Sequence, residues 1–507
     1  MHLRSKNFDI VILGSGMGGL VCGDVLSREG YTVCVLEKNR QIGGCLQTYV
    51  RDKVIFDSGV HYLGGLEKGQ NLYQIFQYLG IMDKLKLERL DMDVFDKIIM
   101  SNDDKEYAYA QGYEGFINRL LVDFPNEEEA LRAYCKKIKE VCDKFPLYNL
   151  KAGGSITEKA EVMDIDTKAF IESITSDPKL QAVLAGNNML YAGQPGKTPF
   201  YVHAMILNSY IESSWKCIDG GSQIGKWIAK NILSQQGVVR RNAEVKRIVV
   251  NGDKVSHVQL ANGEEVYGKY FISNIHPDKT MDMTETDIIK KVFRKRLKSL
   301  ENSISVFTIN IIFKKNSFKY FRHNYYYFDE GQVWNMTEFT EQSWPVGYGI
   351  FLSASSKMID YAESMTILAY MRYDEVKQWE NSFNTVAEEE DRGGEYESFK
   401  KRKAERLLDK VEEKFPGLRS HIQAYYTATP LSYRDYIGNG DGSMYGIVKD
   451  YRDPLKTFIS ARTKIPNLYF TGQNLNLHGI LGAAMSGLVT SIELMGNESI
   501  IEKIKNA

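Results

Sequence analysis

Long apolar runs, an excess of charge of one sign and paired cysteine motifs are all missing from this sequence of 507 residues. No stretch of about 18 consecutive apolar residues occurs, so a transmembrane helix is not expected. Lysine and arginine number 64 against 65 aspartates and glutamates, which leaves a formal net charge of −1. A chain of this balance has no electrostatic reason to bind nucleic acid, and no nucleic-acid partner is expected.

The six cysteines are scattered, and none forms a Cys-x-x-Cys motif. This spacing argues against a disulfide framework and against a structural zinc site, so no metal is expected. The N-terminal residues lack the pattern of a signal peptide. Together these features predict a protein of a reducing compartment, either cytoplasmic or peripheral at the cytoplasmic face of a membrane.

The first forty residues predict a strand, a glycine-rich turn, a helix and a second strand. The apolar run 8–13 leads into residues 14–19, which read G-x-G-x-x-G. A second apolar run, 31–36, ends at Glu37. Because strand, glycines, helix, strand and acid fall in register, this unit predicts a dinucleotide-binding fold.

Each glycine of the turn has a separate mechanical role. Gly14 permits the tight turn, Gly16 lets the backbone approach a pyrophosphate, and Gly19 allows close packing of helix on strand. The amides at the helix N-terminus then face the phosphates. Glu37 is placed to accept hydrogen bonds from the ribose hydroxyls of an adenosine.

The next segment distinguishes FAD from NAD. After Glu37 the chain continues to Gly43-Gly44, and then to Phe56-Asp57-Ser58-Gly59. This order resembles the FAD-binding stretch shared by amine oxidases, Rab GDP-dissociation inhibitors and phytoene desaturases, and NAD-only dehydrogenases lack both parts. The resemblance implies FAD as the cofactor. Cys45 stands where the family usually carries an arginine.

A second set of FAD features lies in the middle and at the end of the chain. Segments 244–250, 254–260 and 264–272 predict a β-meander, and in the family the backbone of its first strand, here at Val245, lies against the adenine. Residues 467–472 predict a buried strand that ends in glycine. This resembles the C-terminal FAD motif, with Gln473 in place of the usual aspartate.

The two FAD motifs lie near opposite ends of the chain, so the FAD-binding domain must be discontinuous. The predicted class is α/β, with a Rossmann-type FAD-binding domain and an α+β substrate-binding domain that has a mixed sheet and helices. We assign residues 1–100, 216–289 and 456–507 to the first domain, and residues 101–215 and 290–455 to the second.

Several further stretches resemble one group within this FAD-binding superfamily. Residues 57–64, which read Asp-Ser-Gly-Val-His-Tyr-Leu-Gly, look like the Asp-x-Gly-x-His-Tyr-x-Gly motif of retinol saturases and carotenoid isomerases. Segments 200–204, 429–432 and 442–446, together with Gln473, resemble the same group of phytoene-dehydrogenase-related enzymes. The resemblance covers most of the chain. It implies an FAD-dependent oxidoreductase that saturates, desaturates or isomerises carbon-carbon double bonds of a polyene, isoprenoid or other apolar lipid.

The resemblance and the motifs together supply the candidate site residues. No catalytic residue is named, and the candidates are His61, His478 and His203. The aromatic and methionine-rich segments 325–328 and 189–191 either line an apolar tunnel or form core. The predicted cofactor-binding residues are Gly14, Ser15, Gly16, Gly18, Gly19, Glu37, Lys38, Gly43, Gly44, Gly59, His61, Val245, Gly472, Gln473, Leu481, Gly482 and Ala484.

A basic amphipathic segment, 288–300, carries apolar residues on one helical face and lysines and arginines on the remainder. It is either a helix that contacts an anionic membrane surface or an ordinary helix packed on its own domain.

Two alternatives to the enzyme stay open: a lipid carrier similar to Rab GDP-dissociation inhibitors, without redox activity, and a flavin amine oxidase. The intact glycine motifs favour the enzyme. No second G-x-G-x-x-G unit is visible, so a dedicated nicotinamide domain is not expected. NAD(P)H stays open as a transient reductant that visits the flavin directly, and the oligomeric state is left undefined.

Overall fold

The computed structural model describes residues 7–153, 156–386 and 389–507. The strands are β1 (Phe8–Leu13), β2 (Val33–Leu36), β3 (Thr48–Arg51), β4 (Val54–Asp57), β5 (Leu63–Gly64), β6 (Leu87–Arg89), β7 (Asp96–Met100), β8 (Glu106–Tyr109), β9 (Ser214–Cys217), β10 (Val238–Arg240), β11 (Val245–Asn251), β12 (Lys254–Leu260), β13 (Glu265–Ser273), β14 (Ser305–Phe313), β15 (Asn324–Phe328), β16 (Gly347–Leu352), β17 (Ser364–Met371), β18 (Ile422–Ala428) and β19 (Leu468–Phe470).

The α-helices are α1 (Met17–Arg28), α2 (Asn71–Tyr78), α3 (Tyr113–Leu121), α4 (Glu128–Asp143), α5 (Ile156–Met163), α6 (Thr167–Ile174), α7 (Pro178–Leu184), α8 (Phe200–Glu212), α9 (Ser222–Ser234), α10 (Pro277–Asp282), α11 (Lys291–Lys298), α12 (Gly394–Lys414), α13 (Leu418–His421), α14 (Pro430–Ile437), α15 (Gly479–Met495) and α16 (Ser499–Lys505).

The first sheet is built from all three parts of the chain that the sequence assigns to it. Its order is β10-β2-β1-β13-β12-β11, with β19 beside β13. The strands β10, β2, β1, β13 and β19 are parallel, and β11, β12 and β13 form the predicted meander. This arrangement confirms the predicted α/β class with a discontinuous Rossmann-type sheet.

Both faces of the first sheet are covered, which explains why its parallel strands are apolar throughout. Helix α1 packs against α9 and α15 on one face, around a core that includes Ile12, Leu20 and Leu488. The meander and α11 cover the other face, around Val11 and Phe271.

The register aligns the carboxyl ends of four parallel strands. Leu13 lies opposite both Leu36 and Ser273, and Ser273 lies opposite Phe470. In open parallel sheets ligands bind beyond these ends. The residues that follow the four ends are Gly14, Glu37, Asn274 and Thr471.

The second sheet has seven strands in the order β18-β14-β17-β16-β15-β7-β8. Its pairs are antiparallel except for β15 and β7, which are parallel, so the predicted mixed sheet is confirmed. Strand β7 ends at Met100, so it falls within the range 1–100 that was predicted for the other domain. The boundary at 215–216 passes through β9, which pairs with β5 and β6. The domain ranges themselves stay a prediction.

Within the described ranges, every helix is too short or too polar to cross a bilayer.

Candidate functional site

A cavity of about 610 Å³ extends from the carboxyl edge of the first sheet to the inner face of the second. A volume of this size is typical of cofactor and ligand sites. One end is bordered by the glycine turn 14–18, by Glu37 and by residues 243–246. The other end is bordered by aromatic and apolar side chains, among them Tyr326 and Met189. The cavity therefore joins the predicted dinucleotide site to the region predicted to hold substrate.

The glycine turn is as tight as the sequence predicts. Gly14 has a φ of +94°, a left-handed conformation that favours glycine, and its N–H donates to Leu36 O at 2.8 Å. An added Cβ at Gly19 would stand 2.3 Å from Gly14 O, so the start of α1 lies directly on the turn. The amides of Met17, Gly18 and Gly19 precede the first intrahelical bond of α1, in which the Leu20 N–H donates to Gly16 O at 3.0 Å, and Met17 and Gly18 line the cavity.

The two ends of the chain meet at this turn. An added Cβ at Gly18 would stand 2.9 Å from both Cα and N of Gly472, and Gly472 itself has a φ of +100°. Gly472 N–H donates to Ser486 Oγ at 3.0 Å, which ties the turn after β19 to helix α15. The close approach of the two backbones requires glycine at position 18, and the left-handed φ of residue 472 favours glycine there.

Asn274 is a residue that the sequence analysis missed. It follows β13, its N–H donates to Leu13 O at 2.8 Å, and it lines the cavity. Added Cβ atoms at Gly16 and Gly472 would stand 2.7 Å from its Nδ2 and 2.4 Å from its Oδ1. Its place directly after an apolar strand was the available signal, because the carboxyl ends of neighbouring parallel strands meet.

Glu37 holds the turn as well as facing the cavity. Its Oε2 accepts from the Ser15 N–H at 3.1 Å and from Ser15 Oγ at 2.5 Å, and its Oε1 accepts from the Asn39 N–H at 2.9 Å. Glu37 is only 5% exposed. Its predicted role as a ribose acceptor stays a prediction.

Replacing Glu37 with alanine should weaken the retention of FAD. The substitution removes the predicted ribose acceptor and leaves the buried Ser15 donors without their partner, at a cost of about 1–3 kcal/mol. That cost corresponds to an increase of about 5- to 150-fold in the flavin dissociation constant. Flavin absorbance per protein after dialysis measures it. Glu114→Ala, at a position 71% exposed, is the control. An unchanged yellow Glu37→Ala protein would contradict the assignment.

Lys38 and the Gly-Gly pair complete this end of the cavity. Lys38 Nζ donates to Asp435 O at 2.7 Å, and burial lowers the pKa of its ammonium. The Gly43 N–H donates to Ser15 Oγ at 3.0 Å, and an added Cβ at Gly44 would stand 3.2 Å from Gly16 Cα. Cys45 lies beside them, and burial raises the pKa of its thiol to about 11, so it supplies no charge.

The structure brings most of the predicted cofactor-binding residues to the cavity. Gly19 and Ala484 are the exceptions: Gly19 packs under the turn, and Ala484 is fully buried in α15. The residues at the cavity are Gly14, Ser15, Gly16, Gly18, Glu37, Lys38, Gly43, Gly44, Gly59, His61, Val245, Gly472, Gln473, Leu481 and Gly482. The glycine cradle, the helix N-terminus and the buried acid together fit a dinucleotide such as FAD.

The three candidate histidines have different surroundings. His61 and His478 line the cavity, and burial lowers the pKa of each to about 4, so both rings are neutral near pH 7. His61 stacks on Phe351 at 4.7 Å, and its Nε2 is buried with no hydrogen-bond partner among the described residues. His478 Nε2 lies 2.8 Å from Leu190 O.

His203 is away from the cavity. It is fully buried in α8, and its ring nitrogens lie 2.5 Å from Tyr134 Oη and 2.8 Å from Tyr191 Oη. Burial lowers its pKa to about 3. Both nitrogens are thus occupied by tyrosines, and the geometry gives His203 a packing role.

Strand alternation decides which aromatic residues reach the cavity. In β15 Tyr326 lines it, whereas Tyr325 and Tyr327 are on the opposite face of the sheet. Met189 also lines it, whereas Tyr191 contacts His203 instead. The sequence left core and tunnel as alternatives for these segments, and the structure contains both. The cavity tyrosines near the second sheet are Tyr62, Tyr210, Tyr326, Tyr370 and Tyr445.

Two carboxylates outside the cavity lining, the half-buried Asp57 and the fully buried Asp96, were not candidates. Asp57 Oδ1 accepts from the Gly221 N–H at 2.7 Å, which joins the start of segment 57–64 to the turn before α9. Burial raises the pKa of Asp57, and separately that of Asp96, to about 7. Lys216, 1% exposed, donates to Leu352 O at 2.9 Å, and burial lowers its pKa to about 8.

Comparisons with known proteins support the family resemblance. Residues 12–79 match a family model described as an NAD(P)-binding Rossmann-like domain. The chain is 26% identical to rat all-trans-retinol 13,14-reductase, with 97% of this chain and 86% of the relative covered. It is 25% identical to carrot chloroplastic prolycopene isomerase, with 99% and 82% covered. The predicted resemblance to retinol saturases and carotenoid isomerases is therefore confirmed.

Solved structures support the fold. An oxidoreductase from Methanosarcina mazei matches with a TM-score of 0.64 at 14% identity, covering 96% of this chain and all of that one.

Proposed function

We propose that the chain is an FAD-dependent oxidoreductase that acts on carbon-carbon double bonds of a polyene, isoprenoid or other apolar lipid. The observation that carries the proposal is the single cavity that joins the glycine turn to a wall of tyrosine, methionine and leucine side chains. A redox cofactor and an apolar substrate would therefore share one dry compartment. The relatives named after retinol reduction and prolycopene isomerisation support retinoids and carotenoids as the substrate class.

Some residues of the cavity would bind the cofactor and others the substrate. When bound, FAD supplies hydride transfer, and the protein supplies position and exclusion of water. The amides around Gly16 and Gly18 would hold the pyrophosphate, Glu37 the ribose, and Gln473 a ribitol hydroxyl through its neutral amide. The aromatic wall would hold an extended chain of conjugated carbons.

The proposal is tested by anaerobic incubation of the FAD-loaded, dithionite-reduced protein with all-trans-retinol and, separately, with prolycopene. Saturation gives a retinol product that has gained two hydrogen atoms, and isomerisation gives a prolycopene product of unchanged mass and altered retention. Chromatography with mass spectrometry separates these outcomes. If the reduced flavin persists and both polyenes are recovered unchanged, the proposed function is wrong.

The same preparation tests the alternatives. A lipid carrier would purify without flavin absorbance, and an amine oxidase would have its flavin reduced anaerobically by amines but not by lipids. NAD(P)H serves as the reductant if it bleaches the flavin in the absence of dithionite. The chain has a single predicted dinucleotide-binding unit, so NAD(P)H would have to reach the flavin directly rather than from a nicotinamide domain of its own.

Membrane contact is a second proposal, supported by the surface around α11. The predicted apolar face of segment 288–300 is partly used internally, since Ile289 and Leu297 are buried. Val292, however, is 79% exposed, and Arg296 one turn later donates to Phe458 O at 3.0 Å. Phe458 is 42% exposed and lines a second cavity of about 350 Å³.

The second cavity shares part of its lining with the first. Met205, Leu477, Leu481 and Gly482 border both, so an apolar chain entering beside Phe458 would be one side-chain layer from the main cavity. We propose that this basic and apolar surface lies on an anionic membrane at the cytoplasmic side. Lipid extraction would then begin at Phe458.

Salt-sensitive binding to phosphatidylserine vesicles is the expected result. The double variant Lys291→Glu and Lys295→Glu should lose most of it, because each cation near an anionic surface contributes about 1 kcal/mol. Co-sedimentation measures the bound fraction. The matched control is the double reversal Lys401→Glu and Arg402→Glu on exposed positions of α12. Equal binding by both double variants, or none by the parent protein, would end the membrane proposal.

A further inference from the structure

A chain of three oxygen-bearing side chains runs from the protein interior to the cavity. Tyr62 Oη lies 3.0 Å from Asp96 Oδ2 and 2.7 Å from Tyr326 Oη. Asp96 is fully buried in β7, whereas Tyr62 and Tyr326 line the cavity. The chain therefore connects an ionisable group that has no access to solvent with the space that the substrate would occupy.

The carboxyl group at the inner end is fixed from several sides. Asn324 Nδ2 donates to Asp96 Oδ1 at 2.8 Å, and Asn187 Nδ2 donates to Asp96 Oδ2 at 2.8 Å. Both oxygens thus have partners, and desolvation outweighs those hydrogen bonds in raising the pKa of Asp96 to about 7. The titratable groups that face Asp96 from the surrounding elements are Tyr62, Tyr109, Tyr210, Tyr326 and Lys216.

The protonation state of Asp96 sets the direction of the chain, because each hydroxyl has only one proton to donate. With Asp96 ionised, Tyr62 donates to the carboxylate and Tyr326 donates to Tyr62. With Asp96 protonated, the carboxyl donates to Tyr62, Tyr62 donates to Tyr326, and the Tyr326 proton is free to point into the cavity. Tyr326 Oη is therefore an acceptor toward the cavity when Asp96 is ionised and a donor when Asp96 is protonated.

The surroundings keep this chain dry. Phe351 lies beside both tyrosines, with ring centroids 6.1 Å from Tyr62 and 5.9 Å from Tyr326, and it also stacks on His61. Tyr210 stacks on Tyr62 at 4.2 Å from the remaining side. In such a low-dielectric setting the hydrogen bonds of a continuous chain strengthen one another.

We propose that Tyr326 is the group that protonates the substrate, and that Tyr62 and Asp96 are positioning residues that orient and reload it. The proposal rests on the proposed function. Saturation of a double bond adds a hydride to one carbon and leaves the former π-electron pair on its neighbour. That carbon takes the proton of Tyr326 Oη, Tyr326 takes one from Tyr62, and Tyr62 takes one from Asp96. Reduced flavin would supply the hydride and so be oxidised, and water that enters the cavity after product release would return one proton through Tyr326 and Tyr62 to Asp96 in each turnover.

The first test needs no substrate and so is independent of the proposed function. Infrared titration of the purified protein should show protonated carboxyl groups that ionise near neutral pH, of which one disappears in Asp96→Asn and another in Asp57→Asn. Tyr62→Phe removes a donor to the ionised carboxylate, so the midpoint of the Asp96 band should rise by about one pH unit. Tyr396→Phe is the matched control, since its buried hydroxyl bonds Thr429 Oγ1 at 2.7 Å elsewhere.

The second test uses all-trans-retinol with the FAD-loaded, reduced protein. Tyr326→Phe should lower kcat by about 10²-fold with KM and flavin content little changed, as expected when a general acid is removed. The kcat of the parent protein should fall as pH rises above about 7, because Asp96 then loses its proton, and Tyr62→Phe should abolish that dependence. Tyr396→Phe should behave like the parent protein.

Different failures have different meanings. If Tyr62→Phe leaves the midpoint of the Asp96 infrared band unchanged, the proposed hydrogen-bonded chain from Asp96 to Tyr326 is wrong, even if the protein reduces retinol. Full kcat in Tyr326→Phe would overturn its assignment as the donor. If the parent protein reduces no polyene but Tyr62→Phe shifts the midpoint of the Asp96 band as expected, the proposed function is wrong and the hydrogen-bonded coupling of Asp96 to Tyr62 is supported.

Discussion

Flavin should be largely lost when Gly18 is replaced by alanine. The added methyl group would stand 2.9 Å from the backbone N and Cα of Gly472, well inside the 3.5–4.0 Å at which carbon atoms pack comfortably. Neither neighbour is a flexible side chain, so the turn after β19 has to move away from α1. Overpacking of this kind costs about 1–3 kcal/mol. If this strain acts only in the flavin-bound protein, it raises the flavin dissociation constant about 5- to 150-fold.

The matched control is Gly115→Ala, in helix α3. There the added Cβ would meet only Ala110 Cβ, at an ordinary 3.6 Å. Alanine favours a helix over glycine by about 1 kcal/mol at either site, so the comparison isolates the close approach of the two backbones. Flavin titration of both proteins measures the difference. Equal affinities would mean that the two ends of the chain do not form one cofactor site.

Arg392→Ala should be the most destabilising single substitution considered for this protein. Arg392 and Asp435 form an ion pair with side-chain exposures of 5% and 0%. Removal of one partner of a buried pair costs about 3–5 kcal/mol, because the other charge stays buried. We expect a value near the lower end, since Arg434 Nε still donates to Asp435 Oδ1 at 2.7 Å.

The effect should also reach the cavity. The Asp435 backbone carbonyl accepts from Lys38 Nζ, and its helix α14 contributes Tyr433 and Tyr436 to the cavity wall. Denaturant unfolding and flavin titration are the two measurements. Arg132→Ala is the control, because Arg132 pairs with Glu128 at exposures of 48% and 59% and its loss should change stability little. If both variants lose the same free energy of unfolding, burial does not make the Arg392–Asp435 pair more important for stability than an exposed pair.

The cofactor end of the cavity could be predicted because its signals are local. A glycine at a left-handed turn, an apolar strand and an acid at the strand's end are each visible within a short window, and the family motifs repeat them at both ends of the chain. The meander was predicted in nearly its observed bounds, since Asn-Gly turns separate its strands. Asn274 was missed because a single asparagine after a strand has no distinctive pattern.

The substrate end could not be predicted in the same way. Tyr62, Asp96 and Tyr326 come from three separate segments, and each is one aromatic or acidic residue among many. Their association follows from the parallel pairing of β7 with β15 and from the position of segment 57–64 against that sheet. His203 illustrates the opposite case, since a motif placed it near the chemistry and the fold encloses it between Tyr134 and Tyr191.

The sequence by itself determined the α/β class, the discontinuous dinucleotide-binding sheet and the glycines of its turn, because backbone conformation and strand periodicity act over a few residues. Only the tertiary structure decided which tyrosines face the cavity, which histidine is enclosed and which carboxylate lies behind the wall. The physical reason is that desolvation and hydrogen bonding depend on neighbours brought together by the sheets, and such neighbours leave no periodic trace along the chain.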